Sequence, residues 1–301
     1  LENLINFNHF NDEKDLSMSF SASNHRTLKD TYNDKYEYVI PDITINKNIF
    51  TEKFGSGGVQ TNFKIQNYDS NKTKKLVINN LNWDFDKSNN YFDNKILTNI
   101  KNVNYDVKNV ENYKTDTSNE FFGAIGFLSS VDFIKKNSGT THLLRPKVLL
   151  KYSPDHMRKQ STSFNLNETD IFSLNRLNSD ENFESGKSVT LGLNYEKINK
   201  FDKLNFSIGQ VISEKKNNKN MPDISSLDKR FSDFVGEIKY NKNEKFKFNY
   251  NYLLDQNAIE TNFNEIVASY DTNKIKFNIN YLEDDRKNVE KKEYLKSEIE
   301  L

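Results

Sequence analysis

Apolar and polar residues alternate with a period of two along much of this chain. In residues 187–197, Val189, Leu191, Leu193 and Tyr195 fall on one face, and Ser188, Thr190, Gly192, Asn194 and Glu196 on the other. Residues 203–212 repeat the arrangement with Leu204, Phe206, Ile208 and Ile212. Residues 245–254 set Phe246, Phe248, Tyr250 and Tyr252 against Lys247, Asn249 and Asn251. Residues 274–282 set Ile275, Phe277, Ile279 and Tyr281 against Lys276, Asn278 and Asn280. Such alternation predicts strands with one face buried. Several of these runs keep it over about nine to eleven residues, enough for a tilted strand to cross a bilayer, whereas ordinary strands average roughly five or six.

The connections alternate as well. Short turns at 135–139, 198–202, 241–244 and 271–273 are interleaved with a long polar stretch at 153–186, another at 213–230 and a medium loop before residue 262. Short turns at one end and long loops at the other are the organisation of an outer-membrane barrel. The N-terminal half is less regular, with strands expected at 16–22, 36–46, 58–67, 75–85, 95–107 and 120–133. Pro41 and Pro146 fall inside strand patterns and predict interrupted ladders there. The expectation is a single all-β domain over residues 1–301, an antiparallel up-and-down meander of about 13 or 14 strands forming part of a large transmembrane β-barrel.

Composition changes the picture little. The net charge is +0, from 43 basic and 43 acidic residues in interleaved positions, so no basic face suggests nucleic acid. A mean hydropathy of -0.84 and the absence of any run of roughly 18 apolar residues argue against a helical membrane protein and leave a barrel open. The 15 Tyr and 23 Phe add weight. Tyr195, Tyr240 and Tyr270 precede short turns, and Tyr152, Tyr252 and Tyr281 lie toward the other end, as in interfacial girdles; tyrosine is also a common strand residue. With no cysteine, disulfides and thiolate metal sites are excluded within these residues. No signal peptide opens the chain and its first residue is Leu1, which suggests a fragment.

No catalytic, cofactor or metal constellation emerges. His9, His25, His142 and His156 show no metal-ligand spacing. Gly55-Ser56-Gly57-Gly58 lacks the Lys-Ser/Thr of a phosphate loop and reads as a hairpin turn or bulge. Asp155-His156 and Asp284-Asp285 fall in loops, where solvated charge is the default, and no serine has a nucleophile-elbow context.

The succession Leu144-Arg145-Pro146-Lys147, Leu150-Lys151-Tyr152-Ser153-Pro154, Asp170-Ile171-Phe172-Ser173-Leu174-Asn175-Arg176-Leu177, Glu184-Ser185-Gly186, Gly192-Leu193-Asn194-Tyr195 and Phe206-Ser207-Ile208-Gly209-Gln210 resembles the C-terminal barrel of the LPS-assembly protein LptD family. Tyr36-Glu37-Tyr38-Val39-Ile40-Pro41 is similar to an earlier strand of that family. The resemblance spans residues 36–282, with its specific part at 144–211. It implies a Gram-negative outer-membrane translocon that inserts lipopolysaccharide into the outer leaflet and does no chemistry. Its implied partners are lipopolysaccharide, a plug lipoprotein of the LptE kind, and a periplasmic bridge protein of the LptA kind reached through an N-terminal jellyroll. That jellyroll would lie upstream of Leu1, and no closing strand is recognisable in residues 291–301. A porin or receptor-type channel for small solutes is the alternative, and a soluble secreted adhesin a more distant one.

In the barrel reading, Leu191, Leu193, Phe246, Phe248, Ile275, Phe277 and Ile279 are expected to face lipid, and Asn194, Asn249, Lys276 and Asn278 the lumen. The apolar element Ile171, Phe172 and Leu174 inside a long polar loop is expected to pack into the lumen or against the plug.

Overall fold

The computed structural model describes residues 2–27, 36–68, 70–89, 91–114, 116–154, 156–160, 164–177, 179–243, 245–272, 274–286 and 291–300. They form sixteen strands in one sheet. The first eight are β1 (Glu2–Asn11), β2 (Leu16–Arg26), β3 (Tyr36–Thr51), β4 (Gly55–Tyr68), β5 (Thr73–Asp86), β6 (Phe92–Lys108), β7 (Ser118–Val131) and β8 (Phe133–Asn137). The rest are β9 (Thr140–Ser153), β10 (Gly186–Ile198), β11 (Asp202–Ser213), β12 (Phe234–Lys242), β13 (Phe246–Leu254), β14 (Thr261–Asp271), β15 (Lys276–Asp284) and β16 (Lys292–Glu300). Every sequential neighbour pairs antiparallel except that β7 and β8 share β9, so they act as one broken strand. The only helical pieces among the described residues are three short 3-10 turns.

The all-β meander is therefore what the alternation pattern predicts, with sixteen strands rather than 13 or 14. The three additions have physical reasons. In β1, Leu4 and Ile5 are adjacent, and in β16 Tyr294 and Leu295 are, so period-two alternation fails in both. Both are edge strands, exposed almost throughout, and they do not pair with each other. The third comes from splitting 120–133 at Asp132. There β9 carries Arg145 and Pro146 opposite the break, Arg145 forks onto the Asp132 carboxylate, and Pro146 offers no amide hydrogen to a partner. Pro41 likewise lies where the β3–β4 register shifts between Val39 and Asp42. The Gly55–Gly58 run opens β4 after the turn at 52–54, and Trp83 donates across it to the Phe54 carbonyl at 2.7 Å.

Short connections at 12–15, 52–54, 87–91, 138–139, 199–201, 243–245 and 272–275 share one end of the sheet, the turn end. The opposite, loop end carries 154–185 and 214–233. Strands are strongly staggered. The row of neighbours through Lys147 runs from Asp93, near the turn end of β6, through Ser130, Gly192, Gly209, Val235, Leu253 and Phe263 to Asp284, the last residue of β15 at the loop end. Such a monotonic drift is the shear of tilted, barrel-forming strands.

Registry also fixes the faces. Because side chains alternate, the pairings carry one face across the whole sheet. The face with Ser19, Thr44, Asn62, Asn80, Asn99, Lys147, Asn194 and Asn278 is here the inner face. The outer face carries Phe20, Phe63, Leu81, Ile100, Phe127, Leu150, Leu191, Phe206, Phe248 and Phe277. The chief polar run on the outer face, Thr61, Asn79, Asn102, Asn104 and Asn119, is hydrogen-bonded within itself across β4 to β7, which lowers the cost of removing those amides from water. Tyr252 lies across Gly236 on the outer face and donates to the Ser207 carbonyl at 3.1 Å.

A Cβ on Gly236 would stand 2.2 Å from the Tyr252 ring, while one on Gly58 meets nothing closer than 3.6 Å. Gly236→Leu should therefore destabilise the sheet by about 1–3 kcal/mol through overpacking, and Gly58→Ala far less. The check is the temperature at which each variant loses its compact, heat-modifiable mobility on a gel.

Candidate functional site

Toward the loop end the inner face stops being polar. Leu76 and Ile78 of β5, Val103 and Tyr105 of β6, Phe122 and Ala124 of β7, and Leu149 of β9 are all buried there. So are Val211, Val235, Leu253 and Phe263 of β11 to β14. What covers them is loop 154–185, with 214–233 beside it. Phe183 and Leu174 pack on the first group, and Phe164, Leu166, Ile171, Leu177, Met221 and Leu227 on the second. Phe172, half-buried, touches both. The Gln160 backbone N–H donates to the Asn220 backbone carbonyl at 2.7 Å and joins the two loops.

Three glycines make the seat. Gly126, Gly192 and Gly209 all lie on the inner face, the last two directly paired. A Cβ on Gly192 would come 2.5 Å from the Phe172 ring, one on Gly126 2.5 Å from Leu174 and one on Gly209 3.3 Å from Ile171. The sheet has been flattened under the three apolar side chains, so they reach the backbone. Ile171, only 1% exposed, is the middle residue of a 3-10 turn over Asp170–Phe172 that delivers it and Phe172 to adjacent glycines.

A buried ionic cluster fixes the loop's position. Arg176 forks onto the Glu184 carboxylate and also donates to Ser188 Oγ at 3.0 Å and Thr190 Oγ1 at 3.2 Å on β10. Lys151 of β9 meets the same carboxylate at 3.1 Å. Burial alone would raise the Glu184 pKa, but Arg176 and then Lys151 outweigh it and hold it down at about 2. Two cations share one carboxylate, so hydroxyls must satisfy the remaining guanidinium hydrogens, and Ser188 and Thr190 do so. A second cluster anchors the other side. Arg158 pairs with Glu120 at 3.2 Å and lies over the Tyr113 ring at 4.3 Å, while Lys74 pairs with Glu181 at 3.2 Å. His156 stacks on Phe122; Asp155 lies outside the described residues.

The expected site residues fall as follows. Registry places Leu191, Leu193, Phe246, Phe248, Phe277 and Ile279 on the outer face, and Asn194, Asn249, Lys276 and Asn278 on the inner face. Ile275 lies just before β15 and is exposed. The six end tyrosines, 152, 195, 240, 252, 270 and 281, share the outer face. One expectation is corrected. Asp284 is not a solvated loop charge: it ends β15, is buried, and is gripped by Arg286, itself buried, which also donates to the Ile224 carbonyl at 3.2 Å. The clustering of Arg176, Glu184 and Lys151 was missed; the one signal was charge placed beside apolar residues in an otherwise polar loop.

Among the described residues no group of His, Cys, Asp and Glu could hold a metal ion, and no helix is long and apolar enough to cross a membrane. The arrangement is a packed stopper on one end of a polar-lined sheet.

Glu184 has its pKa lowered from 4.5 to about 2, so its contribution is fully present above pH 4.5 and is lost as pH falls toward 2. Pepsin cleavage within 154–185 should stay slow at pH 4.5 and accelerate steadily below it. Glu184→Gln leaves the buried Arg176 guanidinium without a counter-charge, at a cost of roughly 3–5 kcal/mol. It should expose the loop to trypsin already at pH 7, as should Gly192→Leu, which unseats Phe172.

A comparison with curated proteins finds no match. The family model for LPS transport system D, LptD, matches residues 4–299, nearly the whole chain, and the protein belongs to that family.

Proposed function

We propose that this chain is a wall of an outer-membrane translocon that delivers lipopolysaccharide into the outer leaflet. The observation that carries the reading is the single register that keeps mostly apolar side chains on one face and mostly polar ones on the other along the strands from β2 to β15. Within the transport family, that outer face meets lipid through Leu191, Leu193, Phe246, Phe248, Ile275, Phe277 and Ile279. The inner face, with Asn194, Asn249, Lys276 and Asn278, lines the lumen. The end tyrosines then sit at the two headgroup levels. The loop end is external, where long loops belong, and the loop 154–185, seated on the wall by Ile171, Phe172 and Leu174, is the lumenal surface nearest a plug lipoprotein of the LptE kind. Supply from the periplasm by a bridge protein of the LptA kind completes the path. Translocation of this sort needs no acid, base or nucleophile. A small-solute channel is disfavoured by the loops, which occupy the inner face where a hydrated path would run.

Two outcomes test this. Phe277→Arg should impair membrane assembly and Asn278→Arg should not, because charge at the bilayer midplane costs about 2–4 kcal/mol on the lipid side alone; equal tolerance at these neighbours sinks the sidedness. Deleting residues 170–177 in the intact protein should weaken plug association and slow the appearance of lipopolysaccharide at the cell surface. Unchanged surface delivery with altered small-solute permeability would favour the channel.

A further inference from the structure

On the outer face, toward the loop end, β6, β7, β9, β10 and β11 enclose an open groove of about 610 Å³. Its walls are apolar: Ile96, Ile125, Phe127, Leu150, Val189 and Ile212. Ile125 and Leu150 remain 50% and 48% exposed, so the protein itself leaves them uncovered. At the rim the chemistry reverses, with Lys187, Glu214 and Arg230. At the loop-end rim, Lys187, Ser188, Ser213 and Glu214 also line a smaller polar cleft of about 180 Å³, which adds Lys215, Lys216, Asn217 and Asn220 and has Met221 and Leu227 on its inner side. Lys187 pairs with Glu214 at 3.5 Å, whereas Lys215, Lys216 and Arg230 have no ion-pair partner among the described residues. The cleft's other carboxylate, Glu184, is already committed to Arg176 and Lys151. Four cations thus face one remaining carboxylate.

An apolar groove that opens at one end into a cation-rich, amide-bearing cleft matches an amphiphile with an acyl chain and an anionic, hydrogen-bonding head. We propose that groove and cleft form one binding site for a phosphorylated glycolipid of the lipopolysaccharide type. An acyl chain lies against Phe127, Leu150 and Val189, and head-group phosphate lies among Lys187, Lys215, Lys216 and Arg230. A single phosphodiester would engage two of these cations. The excess of cations, with Asn217 and Asn220 beside them, favours a head with more than one anionic group and with sugar hydroxyls. This assignment rests on the transport reading and gives it a site that runs from the outer wall to its loop-end rim.

The test uses the full-length protein carrying a benzophenone side chain at position 127, in the groove, or at position 248, on the outer face away from it. Each is placed in phosphatidylcholine nanodiscs containing either purified lipopolysaccharide or phosphatidylglycerol, then irradiated. Lipopolysaccharide adducts should form at 127 about fivefold or more above 248, the effect of even one cation near an anionic headgroup. Replacing Lys187, Lys215, Lys216 and Arg230 with Gln should reduce labelling at 127 to the level at 248, with heat-modifiable mobility confirming an intact fold. Equal labelling at the two positions, or labelling at 127 that survives the fourfold substitution, overturns the site. Phosphatidylglycerol adducts as strong and as lysine-dependent overturn the glycolipid assignment in favour of an anionic phospholipid. Depletion in cells separates the two levels. Surface lipopolysaccharide that falls on depletion while 127 and 248 label alike removes the groove and leaves the transport reading. Surface lipopolysaccharide indifferent to depletion removes the transport reading itself.

Discussion

Everything in this molecule depends on the antiparallel hydrogen-bond register. In hydrocarbon no water is available to satisfy an amide, so a spanning sheet must pair its backbone groups strand to strand. That pairing also decides where each side chain goes, because a slip of one residue would exchange the two faces. The ladder's departures occur where the chain tolerates them. Pro41 falls at the register shift in β3, and Arg145 and Pro146 face the gap between β7 and β8, where Arg145 holds Asp132 across the missing rungs.

From the register follows the position of the loops. The buried apolar part of the inner face is where loops 154–185 and 214–233 lie on it, and the glycines at 126, 192 and 209 stand under the side chains that approach most closely. Apolar packing has no direction, and the same side chains could slide along such a surface. The charges remove that freedom. Arg176 can satisfy its guanidinium only beside Glu184, Ser188 and Thr190 together, so a buried ionic cluster of little net stabilising value selects one placement of the loop.

Much of this was legible in the sequence, and what escaped has physical causes. Alternation over 187–197 and 274–282 assigned strands and faces because both faces of a membrane sheet differ sharply in solvent. β1 and β16 escaped because their apolar residues do not alternate, with Leu4 beside Ile5 and Tyr294 beside Leu295. The apolar run Ile171-Phe172-Ser173-Leu174 announced itself inside a polar loop, but its seat could not: glycines read as turn formers or strand breakers until a side chain from elsewhere is placed on them. Asp284 illustrates the same limit, since Arg286 lies two residues away and only the fold shows both withdrawn from water.

The two faces also constrain any path for a large amphiphile. At the loop end, passage along the inner face means lifting Phe172 and Ile171 from their glycines and parting Arg176 from Glu184, which would leave charges buried without partners. On the outer face, in the proposed membrane setting, there is no such obstacle: its apolar side chains would meet lipid, and the change to cationic chemistry at Lys187 and Arg230 occurs at the level where strands end. A wall that is sealed on its polar side and graded from apolar to cationic on its lipid side suits cargo whose acyl chains stay in lipid while the head group meets water at the loops.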